Sequence, residues 1–354
     1  MKETGGIMNF EDKKSQTYKV VAAFAAVYLI WGSTYLAARF GLESLPPFLM
    51  SGVRYLIAGG LLYFFARLRG ASAPTLGQWG RATIIGFLLF VIGSGGVVLA
   101  QQWISSGTAS LMVTTVPIFV VLIDWLRPGG NAPSMRIMLG LLAGMAGMGL
   151  LLSPAQGAAA INLTGVAWVM LASLCWAAGS LYARTADLPQ SKLQIAAMET
   201  LTAGLIMLVI SIALGETNDF QINQITLKSL CSLLYLIVFG SIIGFSAYVY
   251  LLKEASPSRV STHAYVNPLV AVFLGWLLAG EKVTAQTLMA AAVIMCAVYL
   301  ISRPSTRKIV AQPVRVRNGH PQLDIGLEME LDRERARELQ RECELDMQIT
   351  SKAS

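Results

Sequence analysis

Ten apolar runs of about twenty residues each follow one another along the chain, at roughly 19–40, 46–67, 81–101, 106–126, 134–153, 162–184, 192–214, 228–252, 257–279 and 284–302. A helix rises about 1.5 Å per residue, so about 20 apolar residues cover the ~30 Å hydrocarbon core of a bilayer. A chain of 354 residues that is 55% hydrophobic and 13% charged carries more apolar surface than a soluble core of that size needs. The expected fold is an all-α membrane protein with ten transmembrane helices. Pro46-Pro47, Pro128-Gly129-Gly130, Pro154, Pro189 and Pro304 punctuate short connections, and none of these is long enough for a soluble domain. The first run starts after Lys19 and leads into Arg39 rather than a small-residue cleavage site, so it is expected to remain as a span.

The formal charge of +7 does not point to nucleic acid, because the basic residues lie between the apolar runs and in the tail, where anionic lipid headgroups attract them. Their placement also sets an orientation. With the N-terminus cytoplasmic, the inner side collects Lys13, Lys14, Arg67, Arg69, Arg81, Arg127, Arg136, Arg184, Lys192, Lys253, Arg259 and Arg303. The outer side keeps only Arg39, Lys228 and Lys282, so both termini are expected in the cytoplasm. Cys175, Cys231, Cys296 and Cys343 show neither metal-ligand nor CxxC spacing, so no metal site and no disulfide is expected. No phosphate-binding P-loop, HExxH helix or pair of intramembrane aspartates is present, which argues against ATP use, an enzyme or a cofactor.

The runs are duplicated. A shift of 145 lays Trp31 on Trp176, Arg54 on Glu199 and Gly59 on Gly204; a shift of 151 lays Gly93 on Gly244 and Pro117 on Pro268. Each copy holds five runs, and an odd number forces the second copy to start from the opposite side, giving an inverted repeat. Such repeats place a substrate site near the midplane, beside broken helices. The expected organisation is an N-terminal segment at 1–17, a first repeat at 18–153, a second at 162–302 and a cytoplasmic tail at 303–354. Within the tail, Glu330, Glu334 and Glu338 each precede an arginine by three residues, which favours a solvated helix. That helix leaves two readings open, a bland cytoplasmic extension or a homodimer and partner contact.

Several stretches together resemble the EamA branch of the drug/metabolite transporter superfamily, and within it the YedA-type inner-membrane exporters. They are IWGSTYLAARFGLES at 30–44, PPFLMSGVRYLIAG at 46–59, TTVPIF at 114–119, CWAAGSLYAR at 175–184, FGSIIGFSAYVYL at 239–251 and AYVNPLVAVFLGWLLAGE ending at Glu281. The resemblance implies a five-plus-five inverted repeat around a central cavity that exports small metabolites or drug-like compounds. One position departs from the pattern: Gly280-Glu281 of the second half reads Gly129-Gly130 in the first.

Polar and aromatic residues inside the runs are the candidate site. Arg54 and Glu199 each enter their span by about eight residues, ~12 Å, from opposite faces. A charge at that depth is expensive and should face the bundle interior or a partner. Two readings stand: ion or backbone pairing within the bundle, or a proton-accepting Glu199 with Arg54 as its modulator or a substrate anchor. His263 and Asn267 share a helix face, with Arg259 extending it, and Pro268 follows at once. Pro117 and Pro268 are expected to break their helices. Trp31, Tyr35 and Trp176 are candidates for an aromatic cavity wall, with Gln101 and Tyr248 as polar contacts. Asp124 and Glu281 read as solvated charges at helix ends, with a gate role as the alternative. The functional expectation is a secondary transporter moving a small molecule, with protons as the coupling ion. An uncoupled facilitator, or a membrane scaffold acting through its charged tail, is the alternative.

Overall fold

A computed structural model describes residues 10–127, 132–153, 162–218, 220–254 and 263–302. Arg259, Gly129-Gly130 and the tail from 303, with its expected helix, lie outside the described residues. The described chain is helical, and no strand occurs among the described residues. The helices are α1 (Phe10–Gly41), α2 (Pro47–Leu68), α3 (Leu76–Ala100), α4 (Ser106–Leu126), α5 (Met135–Leu152), α6 (Leu163–Ala183) and α7 (Lys192–Ala213). They continue with α8, running through Leu227–Tyr235, Leu236–Ile243 and Gly244–Glu254, then α9 (His263–Ala279) and α10 (Ala285–Ser302). Eight of them, α1 to α8, are long and apolar enough to cross a membrane; α9 and α10 contain shorter apolar stretches, Val266–Ala279 and Ala285–Ile301.

Local chemistry sets where the helices begin. Thr75 caps α3 in a reciprocal box with Gln78, and Ser105, Asn162, Ser191 and Thr226 accept from amides in the first turns of α4, α6, α7 and α8. Each satisfies a donor that the helix cannot satisfy itself, which matters where a helix end nears lipid. α2 starts instead on Pro46-Pro47, with no side-chain cap of its own.

Packing repeats the duplication. α2 lies along α7, and α5 along α10. The contact of α3 with α6 has its counterpart in α8 with α1, and that of α4 with α6 in α9 with α1. At the α2–α7 crossing the two glycines superposed by the repeat are reciprocal. A Cβ on Gly59 would stand 2.6 Å from Leu201 N, and one on Gly204 would stand 2.5 Å from Leu56 N. Only glycine lets the two backbones come that close.

Two irregularities shape the centre. α3 is π-helical over Phe87–Ser94, and α8 over Leu236–Ile243, the third helix of each half. α4 is interrupted by a turn at Thr114–Thr115, and Pro117 sits in the first turn of its second segment, where a missing N–H costs little. The expected break at Pro268 is not found: α9 runs uninterrupted from His263 to Ala279. Pro268 stands in the second turn of its described part, so it removes one backbone bond near that end and the helix beyond it is kept.

Candidate functional site

A cavity of about 340 Å³ lies among α1, α2, α3, α4, α6, α7, α8 and α9. Of the residues singled out from the sequence, Trp31, Tyr35, Arg54, Gln101, Pro117, Trp176, His263, Asn267 and Pro268 line it. Both halves therefore contribute, and the interrupted α4 meets α9 at its wall.

The two superposed tryptophans hold equivalent places. A Cβ on Gly93 would come 2.9 Å from the Trp176 ring, and one on Gly244 would come 2.6 Å from Trp31 Nε1. Each indole thus lies against a glycine of the neighbouring third helix. Trp31 Nε1 also donates to the Gly240 carbonyl at 3.1 Å. That carbonyl belongs to the π-helical stretch of α8, where looser winding changes which backbone groups face the interior. Trp31 then packs against His263 with ring centroids 5.4 Å apart. Across the cavity, Phe90 meets Trp176 at 6.0 Å and Tyr55 at 5.1 Å.

Arg54 reaches from α2 into the other half, and its Nε donates to Ser241 Oγ at 3.0 Å. Its guanidinium carbon lies 4.8 Å from the centre of the Tyr55 ring. The Ser241 hydroxyl in turn donates to the Leu236 carbonyl five residues back, within the π-helical segment. Arg54 and Glu199 do not pair with one another: the ion pairs among the described residues are Arg81–Asp187, Arg127–Asp124 and Lys228–Glu43. Asp124 is accordingly an exposed charge paired with Arg127, the residue just past the end of α4.

Two candidates lie off the wall. Tyr248 stands behind Trp31 and His263, with ring centroids at 5.1 and 5.7 Å, and supports them rather than facing the cavity. The π-helical segment earlier in α8 turns the residues after it relative to a regular helix, which the spacing alone did not anticipate. Glu199 is 8% exposed, and its helix neighbours Ala196 and Thr200 face the cavity in its place. Successive helix residues point about 100° apart, and at Glu199 the backbone lies against Gly86 of α3, whose Cβ would stand 3.2 Å from the Glu199 Cα. Glu281 is not a solvated end charge either. Its carboxylate accepts from Ser106 N, Ser106 Oγ and Gly107 N at 2.7, 2.7 and 3.0 Å, binding the start of α4.

Thr34, Tyr55, Phe90, Thr200 and Phe245 line the cavity without having been singled out. A phenylalanine in an apolar run carries no signal of which way it faces, and the threonines are too common in such runs to mark a site.

The EamA-like transporter family model matches residues 18–153 and 163–303. The chain is 38% identical over 295 residues to the inner membrane transporter YedA of Escherichia coli (strain K12), covering 81% of this chain and 92% of that protein. It is 25% identical over 283 residues to Protein PagO of Salmonella typhimurium, covering 78% and 90%, and 25% identical over 283 residues to the WAT1-related protein At3g02690 of Arabidopsis thaliana, covering 78% and 68%. A solved crystal structure superposes with a TM-score of 0.55 at 19% identity, covering 80% of this chain and 96% of its own, a likeness of fold. With two matching halves around one shared cavity, the chain is a multi-pass inner membrane protein that belongs to the EamA-like transporter family.

Proposed function

We propose that this protein is a secondary transporter that exports small metabolites, amino acids or drug-like compounds, by alternating access between two inverted five-helix repeats, with ten spans and both termini cytoplasmic. The observation that carries the reading is the cavity, whose wall is built from helices of both halves. A solute held there touches both, so its binding energy acts on their relative position. Glu199, buried in α7 one residue from the wall residue Thr200, is the proton-accepting position. Proton coupling then runs through the setting of α7 rather than by contact with the solute.

An uncoupled facilitator is the second reading, favoured by one observation: no acidic side chain lines the cavity among the described residues. Efflux of labelled amino acids from inverted and right-side-out vesicles, with and without a protonophore, separates the two. Coupled export collapses with the gradient in the wild type and survives poorly in Glu199→Gln; full gradient-dependent efflux by that variant would end the coupling role. The inverted topology has its own check. Cysteines placed at Ser72 and Gln221 must label from opposite sides of the membrane, and labelling from one side overturns the arrangement.

A further inference from the structure

Unmatched polar groups give the cavity a definite chemical demand. Arg54 is permanently charged and carries five N–H donors. Among the described residues only its Nε has an acceptor, Ser241 Oγ, and no carboxylate lies within ion-pair distance. Gly240 makes room for the rest of the group: a Cβ there would stand 3.3 Å from Arg54 Nη2. Gln101 is 1% exposed and Asn267 8%, and the side-chain carbonyl oxygens Oε1 and Oδ1 of these wall residues have no hydrogen-bond partner.

The hydroxyls nearby do not fill those needs. Thr34, Ser110, Thr114 and Thr200 donate to carbonyls of their own helices at 2.6, 2.7, 2.5 and 2.7 Å. The wall thus offers one cationic donor group and, among the described residues, no anion, and two of its residues, one from each half, carry a buried carbonyl oxygen without a partner. A buried acceptor without a partner is left with its desolvation uncompensated, so a donor that reaches it is favoured. A guanidinium partly out of water favours an anion beside it for the same reason.

We infer that Arg54 is the anion anchor of this cavity and that Gln101 and Asn267 receive the donor end of the same solute, so the transported compound is a small acid bearing an amine or hydroxyl on an apolar body, and organic cations without an acidic group are refused. This rests on the transport reading above and narrows it: of drug-like compounds, permanently cationic ones are excluded. The aromatic surfaces of Trp31, Phe90 and Trp176 hold the body.

The test uses the full chain, in nanodiscs for calorimetric binding and in proteoliposomes for flux, with four related probes. L-phenylalanine has both groups, L-phenylalaninamide lacks the acid, 3-phenylpropionate lacks the donor, and benzyltrimethylammonium is a permanent cation. The wild type should bind phenylalanine at least about tenfold more tightly than the amide or the quaternary cation, the loss that follows from one charge-assisted bond. Phenylpropionate should bind more weakly than phenylalanine. Arg54→Gln should erase the preference for acid over amide, while Arg54→Lys keeps part of it. Gln101→Leu should narrow the gap between phenylalanine and phenylpropionate and leave the acid preference in place. The wild-type comparison needs no folded variant. Equal binding of acid and amide, binding of none of the probes, or an acid preference that survives Arg54→Gln overturns the anchor. Acid-selective binding without flux removes the transport reading and leaves the anchor standing; flux without acid preference does the reverse.

Discussion

Ser106 and Glu281, 175 positions apart in the chain, are joined by two hydrogen bonds of 2.7 Å, one from the Ser106 amide and one from its hydroxyl, both to Glu281 Oε1. Glu281 Oε2 takes the next amide, Gly107 N, at 3.0 Å. The carboxylate sits where the N-terminal amides of α4 have no partners in their own helix, and where the helix dipole favours negative charge. The turn between α9 and α10 is thereby fastened to the start of α4, in the other half. Glu281→Gln keeps one acceptor and loses the charge, so it should lower stability by about 1–2 kcal/mol. Glu281→Ala, which leaves all three donors unmatched, should lower it further. Thermal unfolding midpoints in one detergent check the order: wild type, then Gln, then Ala. An alanine variant as stable as the wild type would mean the contact is incidental.

Glu216 does the same for α2. Pro46 and Pro47 provide no side-chain cap, and the Phe48 and Leu49 amides donate instead to Glu216 at 3.2 and 2.9 Å, from the turn that follows α7. Glu216→Ala should cost about 1–2 kcal/mol. Glu216→Asp, with a shorter reach, should fall between. The same unfolding measurement reads both, and hydrogen exchange at Phe48 and Leu49 should quicken in the alanine variant. Unchanged exchange there would rule out the capping role.

The α2–α7 crossing gives a sharper contrast, because adjacent glycines differ. At Gly59 a side chain would meet the Leu201 backbone, whereas at Gly60 nothing lies within 4 Å. Backbone cannot yield as a side-chain tip can, so Gly59→Val should cost at least the upper end of the ~1–3 kcal/mol typical of overpacking. Gly60→Val should be nearly neutral. Yield of monodisperse protein and its unfolding midpoint test the pair, and equal behaviour of the two variants would contradict the packing.

Much of this arrangement was legible because a bilayer makes the sequence simple. Runs of apolar residues must be helices, and Arg54, Gln101, His263 and Asn267 stand out inside them because a polar group in lipid has to turn inward. What a uniformly apolar helix hides is its own rotation, since no polar face reports which side meets protein. Glu199 and Thr200 are neighbours, and only the packing of α7 decides that the threonine faces the cavity. The π-helical stretches of α3 and α8 have the composition of the regular helix around them, so neither the Gly240 carbonyl at Trp31 nor the displacement of Tyr248 carried a signal. Glu281 looked like a solvated end charge because its partner, Ser106, belongs to the opposite half of the chain.

The indole of Trp31 is fixed from two sides, by the Gly240 carbonyl on its Nε1 and by the bare backbone at Gly244. Adding one methyl group at Gly244 puts a carbon 2.6 Å from that nitrogen, so the ring must move and its hydrogen bond must lengthen or break. Since Trp31 lines the cavity, the displaced ring intrudes on solute space rather than into a packed core. Gly244→Ala should therefore spare folding but lower flux, by about fivefold if the loss is the ~1 kcal/mol of one neutral hydrogen bond. The equivalent change at Gly93 presses on Trp176 and should act in the same direction. Initial flux in proteoliposomes, normalised to folded protein, measures both, with Gly60→Ala as the control. Full flux in Gly244→Ala would show that the position of the Trp31 ring does not govern passage.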